Sequence, residues 1–128
     1  METLKEYIDK HEANKERSKS FIDYLFYLMK KHSYENDADL YKKADISRQL
    51  WSSIISGKSK PSLETSLKIV FALHASNREC KLLLKKVGYT LSSSSRLSLI
   101  IRYCLENEIY DLIEVNNYLE QYGYSWFR

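Results

Sequence analysis

Behind Ser47, a residue type that caps helices, come Arg48, Gln49, Ser52 and Ser53, spaced to share the exposed early turns of one short helix. These are side-chain types that hydrogen-bond to base edges and phosphates in a major groove. Lys42, Lys43, Lys58 and Lys60, with Lys30 and Lys31 further upstream, offer a phosphate-facing rim around them. A solvated lysine-rich surface explains the same residues equally well.

Covalent and metal chemistry find less support. His11, His32 and His74 are scattered, and neither Cys80 nor Cys104 has a base near it in sequence, so no catalytic residue is assigned. No His lies within ligand spacing of either cysteine, so no metal site and no cofactor are expected, and both thiols read as reduced, buried, small apolar residues. Gly57-Lys58-Ser59 lacks the preceding glycine and strand of a phosphate loop; Gly57 more simply ends a helix. Eleven tyrosines suggest stacking on single-stranded bases. However, Tyr24, Tyr27, Tyr41, Tyr103, Tyr110 and Tyr118 recur at helical spacing among apolar residues and are expected in core or half-buried positions. Tyr122, Tyr124, Trp126 and Phe127 form a terminal aromatic cluster expected to dock back on the body, with a partner contact as the other use.

The elements that position these residues follow from composition and pattern. With 128 residues, 3 Gly and 1 Pro, the chain reads as a single all-α domain, residues 1–128, of helices joined by short connections. Net charge is +3, and residues 30–60 carry seven basic and four acidic groups, so the excess lies around the candidate residues. No stretch is long and apolar enough to span a bilayer, which leads us to expect a soluble, cytoplasmic protein with no membrane partner.

Residues 1–18 predict an amphipathic N-terminal helix with Leu4, Tyr7, Ile8 and His11 on one face. Glu12 to Ser20 is nearly devoid of apolar residues and is either a solvent-bridging helical segment or a short exposed connection. Phe21 to His32 predicts a core helix, and Asn36 caps another beginning at Asp37. Leu40, Ala44, Ile46, Leu50, Ile54 and Leu63 are the apolar positions expected where two helices cross. Ser76 and Glu79 have capping-box spacing for a helix from Asn77 to about Val87, stopped by Gly88. Leu97 to Leu105, then Leu112 to Tyr122 with Asp111 as a cap, predict a helical hairpin over residues 89–128.

Over Leu40 to Leu73 the chain resembles the lambda-repressor/Cro-like, or XRE, helix-turn-helix family. The resemblance rests on Leu40, Ala44, Ile46-Ser47, Ile54, Gly57-Lys58, Pro61-Ser62-Leu63 and the run Leu67 to Leu73. It implies a five-helix core at residues 19–88, with Ser47 to Ile55 as recognition helix, Arg48, Gln49, Ser52 and Ser53 as readers, and Lys58 and Lys60 flanking the phosphates. The segment GYTLSSSSRLSLIIRYCLENEIYDLIEVNNYL is similar, more loosely, to the C-terminal extension of a subset of XRE-like proteins.

The function implied is double-stranded DNA binding in transcription regulation. A homodimer would read two half-sites, and the added N- and C-terminal helices offer surfaces for one. Asp37 and Asp39, where the family usually has a neutral phosphate donor, Asp45 at the turn, and the bulky Trp51 favour an alternative: a non-enzymatic protein-interaction adaptor that keeps the fold and has lost the DNA.

Overall fold

The computed structural model describes residues 2–125 and residue 127, with the side chains of residues 10–18 left out of the description. Among the described residues there are seven helices and no strand: α1 (Leu4–Lys31), α2 (Asp37–Lys43), α3 (Arg48–Ile55), α4 (Leu63–Ala72), α5 (Asn77–Lys86), α6 (Arg96–Glu106) and α7 (Leu112–Glu120). The chain is all-α, as its composition implies.

The N-terminal helix and the helix from Phe21 are one element and not two. Glu12 to Ser20 holds no Gly or Pro, and its Ala, Glu, Lys and Arg residues favour helix, so nothing stops a 28-residue run. Thr3 starts it with a capping box to Glu6. Among the described side chains of α1, burial begins at Phe21 and continues at Leu25, Leu28 and Met29, where α1 lies on α5. Leu4 and Ile8 stay exposed, and the expected place of His11 on their face falls on an undescribed side chain.

Around the middle of the fold, α4 packs on α2 and α5, α5 on α1 and α6, α6 on α7, and α3 on α2. Buried Leu67, Ile69, Val70 and Phe71 make α4 the centre of one apolar cluster that runs from Phe21 to Phe127. Ile101, Cys104, Leu105, Val115 and Leu119 of the C-terminal hairpin belong to the same cluster. The tail docks in part: Phe127 meets Phe71 edge-on at 6.0 Å, its N–H donates to Asn116 Oδ1 at 3.2 Å and Tyr124 is half-buried, but Tyr122, expected to fold back with them, stays exposed. Trp126 lies outside the described residues.

Each helix ends alike. A left-handed residue follows the last turn: Ser33, Asp45, Gly57, His74, Gly88, Glu108 or Gly123. The next N–H then reaches back five residues, as from Ile46 to Tyr41 and from Ile109 to Cys104. At Asp45 this bends the chain between α2 and α3 within four residues, and Ser47 caps α3 by accepting from the Leu50 N–H.

Three expectations change. Leu50, expected in the core, is 38% exposed, because Trp51 (3%) and Ile54 (1%) fill the inner side of α3 and turn Leu50 outward. Tyr27 and Tyr103 are exposed too; each lies against a neighbouring ring, Tyr24 at 5.8 Å and Tyr118 at 5.7 Å, rather than in the core. Tyr24, Tyr41, Tyr110 and Tyr118 are half-buried as the spacing suggests.

Candidate nucleic-acid interface

Trp51 decides which side of α3 faces outward. Its ring is buried beside Tyr41 at 6.0 Å, and its Nε1–H donates to Asp37 Oδ2 at 2.9 Å. Burying an indole leaves its N–H in need of an acceptor, and Asp37 at the start of α2 supplies it. The contact fixes α3 against α2 and leaves the opposite side of α3 to solvent.

That side is a shallow depression of about 570 Å³ lined by Arg48, Gln49, Ser52, Ser53, Ser56 and Lys58. Two cations, an amide and three hydroxyls meet there, and no carboxylate is among the lining residues. Arg48, Gln49, Ser52 and Lys58 are exposed, and among the described residues none of their side chains is held by a hydrogen bond or ion pair. Ser53 is more committed: its Oγ accepts from Ser59 Oγ at 3.0 Å, bracing the loop after Gly57. Ser56, which joins the set by following α3 as its C-cap, carried no signal in the sequence beyond its place before Gly57.

The first turn of α3 holds no acidic residue, whereas those of α1, α2, α4, α5 and α7 each hold at least one. The positive end of the α3 dipole is therefore not offset by a side chain of its own helix.

The remaining candidate lysines go elsewhere. Lys43 Nζ donates to His74 Nε2 at 2.8 Å, and neither residue lines the depression. Burial and the Lys43 ammonium hold the His74 pKa below its ordinary value, which suits a neutral ring accepting that bond. Lys60 sits over the Tyr89 ring at 4.6 Å, and Lys42 is exposed on the last turn of α2; neither lines the depression.

Nor do the acids that weighed against a polyanion lie in it. Asp37 is engaged by Trp51, and Asp39 accepts from Asn36 Nδ2 at 3.0 Å, beside a separate hollow with His32, Tyr34, Lys43 and His74. Asp45 borders a cavity of about 770 Å³ between the turn and the C-terminal hairpin, with Lys68, His74 and Glu108.

Elsewhere, Cys80 and Cys104 are buried and free, and burial pushes their thiols up to about 12 and about 11, which leaves them little thiolate. No group of three or more His, Cys, Asp or Glu residues able to hold a metal occurs among the described residues, and no helix among them is long and apolar enough to cross a membrane. In comparison with known proteins, no family model, no curated protein and no solved structure matches the chain.

Proposed function

We propose that the chain is a non-enzymatic, double-stranded-DNA-binding regulator of transcription whose α2 and α3 act as a lambda-repressor-like helix-turn-helix. The carboxylate-free depression on the outer side of α3 supports this reading above all else. Arg48 and Gln49 have the forked donors and amide that pair with base edges. Ser52 and Lys58 suit the flanking phosphates. Lys42 lies near enough in sequence to extend the rim, while Lys43 and Lys60 need to leave His74 and Tyr89 to join it.

Fluorescence anisotropy with duplex DNA across a salt series tests the proposal. Affinity should fall steeply with salt, Lys58→Ala should lower the logarithmic slope by about one, and Arg48→Ala should cost about 1–3 kcal/mol and relax base preference. Absence of duplex binding at low salt, or binding indifferent to both changes, would refute it.

The adaptor reading draws on a different surface. Leu99, Tyr103, Ile113 and Tyr122 are exposed on the C-terminal hairpin, where Arg96, Leu99, Tyr103 and Tyr122 border an apolar groove of about 590 Å³. Ser52→Glu separates the two, since a carboxylate in the α3 depression ends duplex binding and leaves a hairpin-docked partner in place.

A further inference from the structure

The seam where α1 meets α5 is closed at both ends and open in the middle. At one end Lys31 Nζ donates to Glu79 Oε2 at 2.7 Å; at the other Lys86 Nζ donates to Ser20 Oγ at 3.2 Å and lies over the Tyr24 ring at 5.5 Å. These contacts join the late part of each helix to the early part of the other, so the two run antiparallel. Glu79, Leu82 and Lys86 share one row of α5, and Ser20, Tyr24, Tyr27 and Lys31 share one row of α1, each at spacings of three and four residues. Leu82 therefore stands between the two closures, opposite Tyr24 and Tyr27. It is 39% exposed and Tyr27 57%, with the Tyr24 ring stacked on Tyr27 at 5.8 Å. The middle of the seam is an apolar strip open to solvent.

Cations border this strip. Arg78 and Lys85 flank Leu82 at four residues before and three after it, with Lys81 one row further out; all three are exposed, and among the described residues none has a side-chain hydrogen bond or ion pair. Glu79, the one acid of α5, is buried and held by Lys31 and His32. The row works against the helix that carries it. Arg78 and Lys81, then Lys81 and Lys85, are like charges at neighbouring positions, and Arg78 puts a cation in the first turn, at the positive end of the helix dipole. On the outer side of α1, exposed Lys19 and Lys30 stand against Asp23. The helix α6 also packs on α5, and its Arg102 and Glu106 pair with each other at 2.8 Å.

We infer that the seam between α1 and α5 docks an acidic amphipathic helix of another protein, its apolar side on Leu82 and Tyr27 and its carboxylates towards Arg78, Lys81 and Lys85. The groove between two packed helices is a seat for a third. From Arg78 to Lys85 the row runs about 10.5 Å, the distance that carboxylates seven positions apart span on a helix lying alongside. A second copy meeting this face with the same face would set three cations against three. A duplex would satisfy the cations but offer only phosphate and sugar to Leu82 and Tyr27, so the apolar strip favours a protein. None of these residues lines the α3 depression, and the inference does not rest on DNA binding.

The probe is a labelled synthetic helix of alanine and glutamine that carries three glutamates at i, i+4 and i+7 beside two leucines. In anisotropy titrations with the full chain it should bind with a dissociation constant on the order of 100 μM. Arg78→Glu with Lys81→Glu should weaken binding about tenfold or more, while the melting temperature holds or rises slightly, because a carboxylate suits the start of α5 better than a cation. Leu82→Ser should weaken it about threefold, and the same peptide with glutamine in place of glutamate should bind about tenfold less well. No binding at about 1 mM, or binding indifferent to Arg78→Glu with Lys81→Glu, would overturn the inference. So would binding that ignores Leu82→Ser and is displaced by a short duplex, which reports a site for any polyanion. Self-association of the chain that Arg78→Glu with Lys81→Glu abolishes would also overturn it, because the occupant would then be an acidic surface of a second copy.

Discussion

Glu79 and Arg48 both stand in the first turn of a short helix, yet their surroundings are opposite. Glu79 is 6% exposed and fully engaged: Oε2 accepts from Lys31 Nζ at 2.7 Å, and Oε1 meets His32 Nε2 at 3.0 Å and the Ser76 N–H at 2.9 Å. Arg48 is exposed, with no side-chain partner among the described residues and no acid in its turn. No buried side-chain nitrogen or oxygen among the described residues lacks a partner, so the fold satisfies its polar groups wherever burial demands it. The polar set at Glu79 is explained by holding α1 to α5. The set on α3 does nothing comparable for the fold, which is why it is the better candidate for an external partner.

Breaking the structural side of this contrast should have the largest effect. Glu79→Ala removes a capping box and the shared acceptor of Lys31 and His32, which keep access to solvent, costing about 2–3 kcal/mol and lowering the melting temperature by on the order of 10 °C. Acid should do the same gradually. Burial works to raise the Glu79 pKa, but Lys31, the Ser76 N–H and His32 outweigh it and hold the carboxyl at about 2, against 4.5 when unperturbed. The unfolded chain therefore takes up this proton first as pH falls. The stabilisation is complete above about 4.5 and is lost progressively towards 2. Thermal melts across that range should show a decline in the wild type that is flatter in Glu79→Ala. Duplex affinity at 25 °C should be unchanged by the substitution; a parallel loss would mean that the two regions are not independent.

Trp51→Phe is smaller and probes the link between scaffold and surface. It keeps an aromatic ring inside but deletes the donor to Asp37, costing about 1–2 kcal/mol in urea titrations. The released carboxylate lies on the α2 side of α3 and not among the residues of the depression, so duplex affinity should be unchanged. A parallel loss of affinity would show that the Trp51–Asp37 contact is needed to present the outer side of α3.

Much of this scaffold can be read from single residues. Asn36, Ser47, Ser76 and Asp111 cap the helices at the places their types and positions suggest, and Gly57 and Gly88 end α3 and α5. Ser33, His74 and Glu108 take the same left-handed conformation without being glycine, so those stops are set by tertiary packing and leave no local mark. The candidate readers were legible as a cluster because one short helix carries them. The direction of long side chains was not: Lys43 and Lys60 are drawn to His74 and Tyr89, partners 31 and 29 residues away in sequence. The placing of the acids was hidden for the same reason. Asp37, Asp39 and Asp45 are near α3 in sequence, while the structure gives Asp37 to Trp51 and sets Asp39 and Asp45 at other hollows. Leu50 and Trp51 compete for one inward position, and only the packed core shows which wins.

The smallest effect tests the contrast most directly. If Gln49 and Ser52 serve the fold no more than their exposure suggests, Gln49→Ala with Ser52→Ala should move stability by no more than about 0.5 kcal/mol. Alanine is also a better helix former than either, so a slight gain is the expected sign. The same chain should lose base preference in anisotropy titrations while keeping most of its salt dependence, because the cations Arg48 and Lys58 remain. A destabilisation above about 1 kcal/mol would mean that this side of α3 supports the structure after all. Its open hydrogen-bonding groups would then no longer argue for a polyanion outside.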